Sequence, residues 1–153
     1  MDLLPQAILN FAIVDMPAKD IFHDAVKHAL VQEGWAITHD PLSLKVGRKD
    51  LFVDLGAERF LAAEKEGEKI AVEIKSFVGP SEVENLRNAV GQYVLYQTAL
   101  AKIEPERTLY LAIRQRIYAD VFEEEIGRML LQQGILKLIV FDPTTEAIVQ
   151  WID

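Results

Sequence analysis

The chain has 153 residues and no cysteine, and 24 Asp and Glu against 16 Lys and Arg give a formal net charge of −8. That length suits one domain with a core of its own, while the missing cysteines exclude disulfides, thiolate zinc sites and thiol redox chemistry. The acidic balance argues against a protein that grips long nucleic acid by charge alone, because neutralising phosphates takes clustered bases. Lys45, Arg48, Lys49 and Arg59 are the bases that would line a local groove.

The N-terminal "MDLLPQAILNFAIVDMPAKD" lacks the basic start and small-residue cleavage site of a signal peptide and reads as a strand or arm. No run approaches the roughly 18 apolar residues of a membrane span, so a cytoplasmic protein is expected. "AKDIFHDAVKHALVQEG" carries Ile21, Phe22, Ala25, Val26, Ala29 and Leu30 on the stripe of an amphipathic helix, with Gly34 as its stop. "WAITHDP" and "LKVGRKDLFVDLGAERFLAAEKEGEKIAVEIKSF" read as strand material, a β-meander with a hairpin at Glu66-Gly67.

Pro80 and Ser81 start a long second helix, along which Val83, Leu86, Val90, Val94 and Leu100 recur. "RTLYLAI" is a short strand, "YADVFEEEIGRMLLQQG" a third amphipathic helix capped by Gly134, and "ILKLIVFDP" a buried strand ending at Pro143. "AIVQWID" is a candidate edge. The order is α-β-β-β-α-β-α-β in a single domain, an α/β architecture with a mixed central β-sheet flanked by helices.

The stretch "KIAVEIKSF" sets Glu73 and Lys75 two apart inside an apolar strand. Strand alternation points both to one face and leaves Ile70, Val72 and Ile74 on the other. Desolvating a carboxylate and an ammonium side by side is costly, and the cost is easier to understand if the face opens onto a metal or a phosphate. A partly exposed cross-strand ion pair is the plainer alternative.

Two upstream acids raise the odds. With a hairpin at Glu66-Gly67, Phe60 lies roughly opposite Glu73, which makes Glu58 the better-placed partner; Asp54 has the same parity and would reach the site through a bulge at Leu55-Gly56-Ala57. Two such carboxylates suit a hard divalent cation, and a neighbouring lysine can orient water or neutralise a phosphate.

On the second helix Gln92 and Tyr96 share a face with Asn85 and Asn88, fit to touch nucleic acid or to support the metal site; a solvated flank with a half-buried Tyr explains them as well. His23, Asp24, Lys27 and His28 read as an exposed helix face, with Asp24 a weak extra acid. Glu64, Glu66, Glu68 and "FEEEIGR" read as solvated charge, and no phosphate-cradling glycine motif occurs.

"DLGAER", "AAEK", "KIAVEIKSF" and "GQY", with "FHDAVKHALVQEGWAITHDPL" before them and "EPERTLYLAI" and "LKLIVFDPTTEAIVQWI" after, resemble the XisH family. Those proteins are excision-controlling factors of the fdxN element in heterocyst-forming cyanobacteria. The likeness covers about residues 20–153 and leaves 1–19 as an N-terminal extension. The family in turn resembles the PD-(D/E)XK nucleases, which implies a restriction-endonuclease-like core.

Carried onto this sequence, the resemblance implies that Glu73 and Lys75 form the E-x-K element. Glu58 or Asp54 would be the upstream acid, and Gln92 with Tyr96 would match the Q-x-x-x-Y element of RecB-like nucleases. No Pro-Asp precedes the second strand, which departs from the pattern. The expected function is excision control in programmed DNA rearrangement. Glu58 or Asp54 with Glu73 would hold magnesium or manganese, Lys75 and Gln92 would serve catalysis, and Tyr96, Asn88 and Lys45 would contact DNA. A XisI-like protein and a site-specific recombinase are the implied partners, and a homodimer is compatible with this reading. The alternative is a catalytically inactive regulatory module that binds a partner protein.

Overall fold

In the computed structural model, residues 19–60 and 67–153 are described. Residues 1–18 of the segment read as an arm, and Glu66 of the expected hairpin turn, lie outside them. Helix α1 (His23–Gln32) leads into β1 (Ala36–His39), β2 (Leu42–Val46), β3 (Lys49–Val53), β4 (Leu55–Arg59) and β5 (Glu68–Ile74). Helix α2 (Glu82–Ile103), β6 (Arg107–Arg114), short α3 (Gln115–Ile117), α4 (Glu125–Gln132), β7 (Leu138–Asp142) and β8 (Ala147–Ile152) follow.

Six strands form a mixed sheet in the order β1-β4-β5-β6-β7-β8, and β2 with β3 forms a separate two-stranded ribbon. β5, β6 and β7 are parallel neighbours, while β1, β4 and β8 pair antiparallel. Parallel neighbours need a crossover between them. Helix α2 supplies the first and the segment from α3 through α4 the second. Helix α2 starts where the sequence signals it, with Ser81 Oγ accepting from the Glu84 amide at 3.2 Å.

Alternation along β5 decides which side each residue serves. Ile70, Val72 and Ile74 pack against Val26 and Leu30 of α1, together with Leu55 and Phe141. Ala71 faces the other way, toward Leu86, Ala89, Tyr93 and Leu100 of α2 and toward Leu42, Leu44 and Val53 of the ribbon. Glu73 shares the parity of Ala71, so its carboxylate enters the α2 side of the sheet.

Several expectations are corrected. Five strands, not three, precede the long helix, because residues 42–53 fold back on themselves: Val46 pairs with Lys49 across a turn whose Gly47 has φ 60°. The third helix is broken. Residues Tyr118–Phe122 form one wide π-helical turn and α4 begins afresh at Glu125. Gly127 explains the close return of α4, since a Cβ there would lie 2.3 Å from the Val121 carbonyl oxygen and 2.4 Å from Phe122 Cα. His23 is buried rather than exposed, with Nε2 2.6 Å from Asp40 Oδ1.

Candidate functional site

The β4–β5 register sets the site. Arg59 pairs with Glu68, Glu58 with Lys69 and Leu55 with Val72, without a break. One step further, Asp54 lies across from Glu73. The bulge invoked to bring Asp54 within reach is absent from this ladder, and Phe60 is not opposite Glu73: β4 stops at Arg59 and β5 starts at Glu68, so a turn at Glu66-Gly67 does not set the pairing.

Asp54 and Glu73 are joined through the backbone. The Asp54 amide donates to Glu73 Oε1 at 3.3 Å, and the Ile74 amide donates to Asp54 Oδ2 at 2.7 Å. Both carboxylates line a cavity of about 210 Å³ with Lys75, Gln92, Tyr96 and Asp20. Glu73 is 5 % exposed, and its burial beside Asp54 raises its pKa to about 9, with Lys75 opposing the shift. Tyr96 is pushed up to about 12, first by burial and then by the charges of Glu73 and Asp54. Gln92 Oε1 is buried with no hydrogen-bond partner among the described residues.

Glu58 sits elsewhere. Its Oε1 lies 3.7 Å from Arg107 Nη2 and 4.0 Å from Lys69 Nζ, at the end of β5 remote from Glu73. Asn88 and Asp24 are exposed and do not line the cavity. Lys45 also lies outside it, on the ribbon face that carries Phe52, which does line it. Arg59 belongs to a different pocket, where it pairs with Glu68 at 2.8 Å.

Asp20 escaped the sequence reading. Its Oδ1 accepts from the Phe22 amide at 2.9 Å and its Oδ2 from the Ser76 amide at 3.0 Å, which ties the entry of α1 to the end of β5. The available signal was an aspartate two residues ahead of a helical stripe, a position where such side chains bond the following backbone.

Oxygen atoms dominate the donor set: two carboxylates and a buried amide carbonyl. That chemistry fits a hard divalent cation such as magnesium or manganese better than a soft one. Among the described residues no group of three or more Asp, Glu or His side chains is close enough to hold a metal, so an ion here would keep water ligands.

Sheet and site define a mixed α/β protein whose central strand β5 carries a buried glutamate, with a half-buried aspartate facing it and a lysine just beyond the strand's end. Residues 16–149 match the family described as XisH protein, and the chain belongs to the XisH family. It is similar to the crystal structure of an XisH family protein from Nostoc punctiforme, at 40 % identity and a TM-score of 0.79 over 88 % of this chain and all of that one. It is likewise similar to an fdxN element excision controlling factor protein from Anabaena variabilis, at 39 % identity and a TM-score of 0.78 over the same shares. No curated protein matches. Among the described residues no helix is long and apolar enough to cross a membrane.

Proposed function

We propose that this chain acts on DNA in the excision of a mobile element, as a metal-dependent endonuclease built on a restriction-endonuclease-like PD-(D/E)XK core. The observation that carries this reading is the convergence of Asp54, at the junction of β3 and β4, with Glu73 on β5 and Lys75 just past its end around one cavity. The name borne by the similar Anabaena variabilis protein, an fdxN element excision controlling factor, supports the process.

Asp54, Glu73 and the Gln92 carbonyl would hold magnesium or manganese. The ion would supply positive charge to the scissile phosphate and an activated water. The other tasks fall to side chains. Lys75, two residues from Glu73 on the same face, offers an ammonium that orients the attacking water and compensates phosphate charge. Tyr96 keeps its proton at any physiological pH and so remains a hydrogen-bond donor. Lys45, Arg48 and Lys49 near the tip of the β2–β3 ribbon are the bases that would meet phosphates, with Asp50 across from Lys45. A XisI-like protein and a site-specific recombinase are the proposed partners, with a homodimer as the proposed form on DNA.

A second reading is favoured by a different observation. Asp54 and Glu73 already accept hydrogen bonds from the Ile74 and Asp54 amides, which take up part of the oxygen lone pairs an ion would need. On that reading the chain is a catalytically inactive regulatory module that binds its partner protein.

The deciding experiment is a plasmid-nicking assay with purified protein, its XisI-like partner and manganese. Cleavage that disappears in Lys75→Ala, while that variant still binds manganese, supports the endonuclease. Cleavage of equal rate in Lys75→Ala assigns the activity to a contaminant, and no cleavage under any of these conditions leaves the regulatory module.

A further inference from the structure

A second cavity, of about 360 Å³, lies at the opposite end of β5, on the side of the sheet that α1 covers. Three aromatic rings wall it. Trp151 sits 5.9 Å from Trp35 and 5.0 Å from Tyr110, the latter edge to face. The carboxylates of Glu33, Glu68 and Asp153 line it as well.

These acids are not equally satisfied. Glu68 is paired with Arg59 at 2.8 Å. Glu33 accepts from the Trp151 indole at 3.0 Å and Asp153 from the Tyr110 hydroxyl at 2.6 Å, both neutral donors. Among the described residues neither Glu33 nor Asp153 has a cationic partner. An aromatic wall backed by uncompensated carboxylates attracts an organic cation. The Arg59 guanidinium, 4.6 Å over the Trp35 ring, demonstrates the fit on one wall.

We propose that this pocket receives an arginine or lysine side chain of a protein partner, held among Trp151, Tyr110, Glu33 and Asp153. The net charge of −8 suits a basic partner. This inference does not rest on the endonuclease reading.

Trp35 and Trp151 are the two tryptophans of the chain, so tryptophan emission reports on this pocket alone. The test titrates the full chain with Nα-acetyl-L-argininamide and, separately, with its uncharged counterpart Nα-acetyl-L-citrullinamide. The expected result is a saturable change in emission for the first, an affinity at least roughly tenfold weaker for the second, and a similar loss in a Glu33→Gln, Asp153→Asn variant. Matching melting temperatures show that the variant is folded; should it melt early, the citrulline comparison on the unmutated chain decides. Equal responses to the two probes, no saturable response to either, or stronger binding of a nucleoside monophosphate would overturn the proposal, the last by assigning the rings to base stacking.

Discussion

Asp54, at the junction of β3 and β4, faces Glu73 of β5, and two backbone amides tie them together: the Asp54 amide donates to Glu73 Oε1 and the Ile74 amide donates to Asp54 Oδ2. The pair is thus fixed by the same ladder that aligns β4 with β5. Burial and mutual repulsion favour a proton on Glu73.

Stability in chelator should report that proton. Glu73 moves from an ordinary value of 4.5 to about 9 on folding. Between those values the folded chain binds one more proton than the unfolded chain, so the contribution of Glu73 to stability falls as pH rises across that window. Glu73→Gln removes the titration. We expect the variant to be more stable than the parent at pH 9 by at least about 1 kcal/mol, roughly 2–4 °C in Tm for a domain of this size, with the gain shrinking toward pH 5. Thermal melts across pH check this, and a gain that grows as pH falls would contradict the assignment.

The two upstream acids separate by metal binding. Asp54→Asn is expected to weaken manganese binding at least about tenfold, because it removes one of two carboxylates from the site. Glu58→Gln should leave manganese affinity unchanged, since Glu58 lies against Arg107 and Lys69. Calorimetry on both variants reads the difference; loss of binding in Glu58→Gln alone would return the site to the other acid.

Arg107 anchors the far end of the sheet. Its side chain is 2 % exposed, bonded to Glu104 Oε2 at 2.7 Å and to the Ile70 carbonyl at 2.9 Å, with Glu58 3.7 Å away. Arg107→Ala strands two carboxylates and an acceptor. A loss of about 3–5 kcal/mol is expected, measured by urea unfolding. A loss below about 1 kcal/mol, the worth of an exposed pair, would mean water replaces the guanidinium at no cost.

Gly127 has no room for a side chain. A Cβ would press on the Val121 carbonyl and Phe122 Cα, both backbone atoms. Gly127→Ala is expected to cost about 1–3 kcal/mol despite the higher helix propensity of alanine, again by urea unfolding.

Much of this architecture was legible because its signals are local. The stripe of α1, the Pro80-Ser81 start of α2 and the apolar run of β7 each carry their own punctuation, and strand parity separated Ile70, Val72 and Ile74 from Glu73. Register was not legible in the same way. The pairing of Leu55 with Val72 is settled by side-chain packing on both faces of the sheet, and the "EKEGEK" turn signal pointed to a different offset, which favoured Glu58 over Asp54. Asp20 was hidden for a similar reason: its contact with Ser76 spans 56 residues, and no short-range pattern encodes it. The break before α4 depends on how Gly127 meets Val121, a tertiary contact inside a sequence that is periodic throughout.

The β2–β3 ribbon ends at Val53, and the next residue is Asp54. Ribbon and carboxylate therefore share one stretch of main chain, like a handle fused to a latch. The hydrogen bond from the Ile74 amide to Asp54 Oδ2 therefore moors the base of the ribbon to β5 along with the carboxylate.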